Sequence, residues 1–95
     1  MQPQLQIIGY VAAICTSISF LPQAIKVINT RDTAALSLTM YSVFSFGVCL
    51  WLVYGLILGD LPLILANAVT LTFALIILAM KIANRRKDKA IRARL

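Results

Sequence analysis

The chain has 95 residues, 61% of them hydrophobic, and a mean hydropathy of +0.92. Soluble domains hold roughly 45–50% apolar residues, so the composition points to a membrane protein, and the length to one domain. The net charge of +6 would suit nucleic acid, but most of it lies in a C-terminal stretch that follows a long apolar run, so no nucleic-acid partner is expected. There is no histidine, and Asp32, Asp60 and Asp88 are the only acids.

The opening residues "MQPQLQ" carry no base, which disfavours a cleavable leader. A first apolar run covers about residues 5–28, long enough to cross a bilayer as a helix of roughly 20 residues. It contains Pro22-Gln23. Proline there frees the carbonyl of Ile18 and is the usual cause of a sharp helix kink. Such a freed carbonyl is tolerable only where protein or cavity water satisfies it.

"NTRDTAAL" (29–36) is a polar connection, and Ser37 can cap a second span over 37–58. "GDLP" (59–62) reads as a tight turn: Gly59 ends one helix, Asp60 caps the next, and Pro62 suits its first turn. A third span covers 61–82, antiparallel to the second. Residues 85–95 form a basic tail. The expected organisation is thus a three-helix transmembrane bundle over 1–84 with a tail over 85–95. Cys15 and Cys49 make neither a metal-ligand pair nor a disulfide framework and are read as small buried side chains.

All nine basic residues lie at or beyond the C-terminal end of the first span or of the third; the N-terminal stretch and the 59–62 turn have none. The positive-inside rule then places the N-terminus outside and the C-terminus in the cytoplasm, with the tail near anionic lipid. No charged residue lies deep in a span. A proton-coupled pump is expected to need an intramembrane carboxylate, and no nucleophile–base pair, metal cluster or phosphate loop supports an enzyme. No cofactor is expected.

Trp51 lies eight residues before Gly59 and Asn67 eight after it. At 1.5 Å per residue both sit about 12 Å from the turn, near the bilayer midplane. An indole face beside a carboxamide suits a sugar: the ring packs on the C–H face, and the amide pairs with hydroxyls. Trp as an interface marker and Asn as interhelical glue are the structural alternatives. Three helices cannot easily enclose a cavity of the ~300 Å³ typical of ligand sites. A path, if there is one, belongs between two copies inserted the same way, as a parallel homodimer.

"PQ" at 22–23, "NTRDTAALS" at 29–37, "WLVYG" at 51–55, "GD" at 59–60 and "LANAVTL" at 65–71 occur in this order on three spans. Together they resemble the SemiSWEET family, the bacterial half-size relatives of SWEET sugar transporters, over about residues 5–86. The resemblance implies an all-α, three-transmembrane-helix protomer whose parallel homodimer forms a six-helix uniporter in the bacterial inner membrane. It implies facilitated diffusion of mono- or disaccharides by alternating access. Trp51 and Asn67 would contact the sugar, Tyr54 and Asp60 would belong to the extracellular gate, and Pro22 and Gln23 to a hinge. Phe20, Met40 and Phe44 are weaker candidates for an intracellular constriction, with ordinary packing as the alternative. Several family members carry an arginine two residues before the gate aspartate; this chain has Leu58, leaving the Met1 amino group as the substitute at hand. A weaker outer gate and an outward-leaning resting state are expected from that change. Transport of another solute such as an amino acid, and a membrane adaptor using the basic tail, are the competing functions.

Overall fold

The computed structural model describes residues 3–95; the Met1 amino group lies outside them. The described residues form three helices: α1 (Pro3–Thr30), α2 (Leu38–Leu58) and α3 (Leu61–Arg94). Each is long and apolar enough to cross a membrane. The caps are those the sequence dictates. Ser37 accepts a hydrogen bond from the Met40 N–H at 3.2 Å. Gly59 ends α2 in the left-handed conformation (φ 68°), which glycine adopts without strain. Asp60 caps α3 by accepting from the Leu63 N–H, and Pro62 sits in the first turn.

Helix α3 packs between α1 and α2, which make no close approach to each other. Near the start of α1, a methyl group added at Gly9 would come 3.2 Å from Pro62 Cβ at the start of α3. Beyond the end of α1, the Arg31 carbonyl accepts from Asn84 Nδ2 at 2.9 Å. Both contacts span 22 residues on each helix (9 to 31, 62 to 84). Hence α1 and α3 run parallel and in register over about 33 Å, a distance matching the ~30 Å hydrocarbon core of a bilayer. α2 returns antiparallel to both.

The packing stripes follow from helix periodicity. On α1 the less exposed residues include Gly9, Ala13, Ser17, Phe20, Ala24 and Val27, spaced by three or four, so they share one face. On α2, Ser45, Val48 and Gly55 are buried, and on α3 Pro62, Ala74 and Ile77. Few apolar side chains are buried: Ala24, Val48, Ala74 and Ile77. The rest of the apolar surface requires lipid or another chain. Cys15 and Cys49 belong to that outer surface: both are free and exposed, correcting the expectation of burial. An apolar run in a membrane helix faces outward as readily as inward, so local hydropathy does not separate the two.

Several polar side chains inside the spans turn back on their own helices. Thr16, Ser19, Ser42 and Thr72 donate to carbonyls four residues earlier, as a low-dielectric environment demands. Among the described residues Ser45 Oγ is buried without a partner.

Gly55 allows the close approach of α2 and α3 beside the turn. A Cβ there would meet Leu63 Cγ at 3.3 Å and the Ile64 backbone nitrogen at 3.4 Å. Gly55→Leu should therefore wedge the hairpin apart and cost about 1–3 kcal/mol, read as a lower melting midpoint in detergent. An unchanged midpoint would show that α2 shifts without loss.

Candidate functional site

On α2, Met40, Phe44, Trp51, Tyr54 and Leu58 are separated by 4, 7, 3 and 4 residues. At about 100° per residue they fall within an arc of roughly 80°. Every one of them is exposed. This stripe lies beside the one that packs on α3 and runs the length of the helix, so three classes of sequence candidate share one surface. Trp51 is 56% exposed and meets Tyr54 edge to face, with ring centroids 5.7 Å apart at 86°. Nearer the basic end, Tyr41 and Phe44 form a second edge-to-face pair at 6.1 Å.

Asn67 is half-buried on α3, and its Nδ2 donates to the Leu63 carbonyl at 2.8 Å. One N–H and the amide oxygen are left to serve a ligand. Gly59 separates two packed antiparallel helices, so the eight-residue spacing on either side puts Trp51 and Asn67 at one depth. Asp60 is half-buried at the turn and engaged as the α3 cap. Leu58 is exposed beside it.

Pro22 and Gln23 lie on the exposed side of α1, inside a helix that continues through them to Thr30. Pro22 closes one end of a shallow apolar cleft of about 470 Å³ between α1 and α3, with Pro62 among its other lining residues. Phe20 stands apart from the α2 stripe. It lies on the packed face of α1, toward α3.

The polar connection between α1 and α2 is tied into the bundle. Thr33 is only 2% exposed. Asn84 Nδ2 donates to Thr33 Oγ1 at 2.8 Å as well as to the Arg31 carbonyl, and Lys81 Nζ donates to the Thr33 carbonyl at 2.9 Å. Arg31 has a positive φ of 56°, uncommon for a non-glycine residue, and its carbonyl is one that Asn84 holds. These three bonds clasp the end of α1 to α3. The one sequence signal for them was Asn84, a neutral amide among bases, three residues after Lys81 and so on the same helix face. They also bring the two basic segments together, so the bases gather at one end of the bundle, opposite Asp60.

The PQ loop repeat family matches residues 5–64, which makes the chain a PQ-loop membrane protein. A sugar transporter SemiSWEET of Leptospira biflexa is 54% identical over 78 residues, covering 82% of this chain and 92% of that protein. Another of the same name, from Bradyrhizobium diazoefficiens, is 49% identical over 78 residues, covering 82% and 91%. A crystal structure of a SemiSWEET in the inward-open conformation superposes with a TM-score of 0.93 at 37% identity, over 97% of this chain and 99% of that one. The chain belongs to the SemiSWEET family.

Proposed function

We propose that the chain is the protomer of a sugar uniporter, moving mono- or disaccharides by facilitated diffusion and alternating access along a path between two parallel copies. The observation that carries this reading is the exposed stripe on α2. It places Trp51 at mid-depth, with Tyr54 and Leu58 toward the turn and Met40 and Phe44 toward the basic end. An apolar and aromatic lining of that length facing outward from a flat array, 14 Å across in its thinnest direction, needs a second copy to become a channel wall. The names of the relatives support sugar as the cargo. In the homodimer two Trp51 faces and two Asn67 amides would meet the sugar. The absence of charged side chains deep in the spans favours passive flux. By the positive-inside rule the basic end faces the cytoplasm of the bacterial inner membrane, with the N-terminus outside. Cross-linking of a single-cysteine variant on the α2 stripe, run with and without sugar in proteoliposomes, tests the dimeric path: no covalent dimer from any stripe position would defeat it.

Pro22 and Gln23 act in this scheme as the hinge of α1. By the register of α1 with α3, Pro22 lies level with Leu75, eight residues or about 12 Å below Asn67. Bending there moves the basic end of α1 while leaving the sugar level in place, and Gln23 supplies donors and acceptors beside the disrupted turn. Pro22→Ala restores a helical hydrogen bond and should leave folding and sugar binding intact while slowing flux several-fold. Unchanged flux would reduce the pair to packing.

At the opposite end Tyr54, Leu58 and Asp60 would form the outer gate. Leu58 gives Asp60 no cation to close against. The likeness to an inward-open relative lends no support to an outward-leaning rest. The expectation is tested by Leu58→Arg, which should shorten spin-label distances across the outer mouth; unaltered distances would end it.

A further inference from the structure

We propose that the basic end of the protomer carries a site for the headgroup of an anionic phospholipid, in the groove between the α3 extension and the α1–α2 connection. The groove has a volume of about 650 Å³. Its lining includes Arg31, Lys81, Arg85, Lys87, Lys89 and Arg92 against two carboxylates, Asp32 and Asp88, a balance of six positive and two negative groups, or +4. One Asp32 oxygen already accepts from the Ala34 N–H at 3.1 Å. The net field of the groove therefore selects an anion.

The groove is held in shape. Lys81, Arg85, Asp88 and Arg92 follow at spacings of 4, 3 and 4 residues and so share one face of α3. Asn84 stands on the edge of that face and, with Lys81, ties the helix to the nearly buried Thr33, which fixes the opposite wall. Leu36 and Leu38 complete the lining with apolar carbon.

Depth identifies the occupant. Lys81 lies 20 residues, or about 30 Å, along α3 from Leu61, which spans a hydrocarbon core. The groove therefore opens at headgroup level, with Leu36 and Leu38 in its wall and the exposed apolar surface of the spans below it. A lipid whose acyl chains lie on that apolar surface presents its phosphate to the bases above. A soluble anion would gain the charge contacts but not the apolar ones. Basic pockets of this kind between helices suit anionic headgroups, and guanidinium groups pair with phosphate oxygens through two parallel hydrogen bonds. The site lies off the α2 stripe and does not depend on the sugar reading.

A matched pair of variants separates a built groove from a diffuse positive field. Arg85→Gln with Arg92→Gln removes two charges from the groove. Arg86→Gln with Arg94→Gln removes two charges from the other side of the same helix, where neither residue lines the groove. Lys81 and Asn84 are kept so that the clasp survives. The full-length protein is placed in nanodiscs of equal phosphatidylcholine and phosphatidylglycerol, and co-purifying lipid is counted by native mass spectrometry. Wild type and the Arg86/Arg94 variant should retain phosphatidylglycerol preferentially, and the Arg85/Arg92 variant should lose that preference at least about fivefold. Equal losses in both variants would show a diffuse field without a site, and no loss in either would show that the groove binds no anionic lipid; both results overturn the proposal.

Discussion

Trp51→Ala and Asn67→Ala are each expected to reduce sugar flux at low substrate concentration by about 30-fold while leaving the protein folded. In a homodimer each substitution removes two contacts. At about 1 kcal/mol per contact, the loss is roughly 2 kcal/mol, which corresponds to that factor in affinity. The structure explains why folding should survive. Trp51 is more exposed than buried, so truncating it opens no cavity within the protomer. The Asn67 side chain donates within its own helix, to a carbonyl that keeps its backbone partner. Loss of flux together with an unchanged melting midpoint therefore assigns the pair to the ligand. Loss of flux together with a collapsed midpoint would return Asn67 to the role of interhelical glue. Retained flux in both variants would remove the pair from the binding site.

The second large effect is expected at the clasp. Asn84→Ala deletes two hydrogen bonds and leaves the hydroxyl of a nearly buried Thr33 without its donor. An unsatisfied buried group costs about 1–3 kcal/mol, a sizeable share of the 5–15 kcal/mol by which small proteins are stable. Thr33→Val removes the acceptor with little change of shape, so Asn84→Ala introduced on top of it should cost less than it does alone. The difference between the two costs, about 0.5–1.5 kcal/mol, is the coupling of the pair. Purely additive effects would show that the two side chains do not depend on each other. The clasp also bears on the hinge. If residues beyond Pro22 swing, their far end is fastened to α3 through Arg31 and Thr33. The loop must then travel with α3 or the three bonds must open. Asn84→Ala should accordingly broaden the spin-label distance distribution at the basic end more than at the Asp60 end.

The spans were legible because each run of apolar residues matches the thickness of a bilayer, and the caps because Ser37, Gly59 and Asp60 have specific backbone uses. The depth of Trp51 and Asn67 followed from counting residues outward from Gly59. The placement of α3 between α1 and α2 was not legible, since weakly amphipathic helices do not say which neighbour they prefer. The outward direction of Cys15 and Cys49, and the inward one of Phe20, were hidden for the same reason. Residues 85–94 read as a tail from their charge, yet they continue α3 to Arg94. Alanine, arginine and lysine are strong helix formers, and composition alone does not reveal where a charged helix stops. The clasp escaped because it joins residues about 50 positions apart in segments that looked like polar linker and solvated tail.

Passive sugar transport is tested by counterflow of radiolabelled glucose and sucrose in proteoliposomes containing the purified wild-type chain, without any ion gradient. Labelled sugar should enter vesicles preloaded with unlabelled sugar, with a rate insensitive to a protonophore. Failure to move either sugar under any gradient would contradict sugar transport, and uptake that requires a proton gradient would contradict uniport.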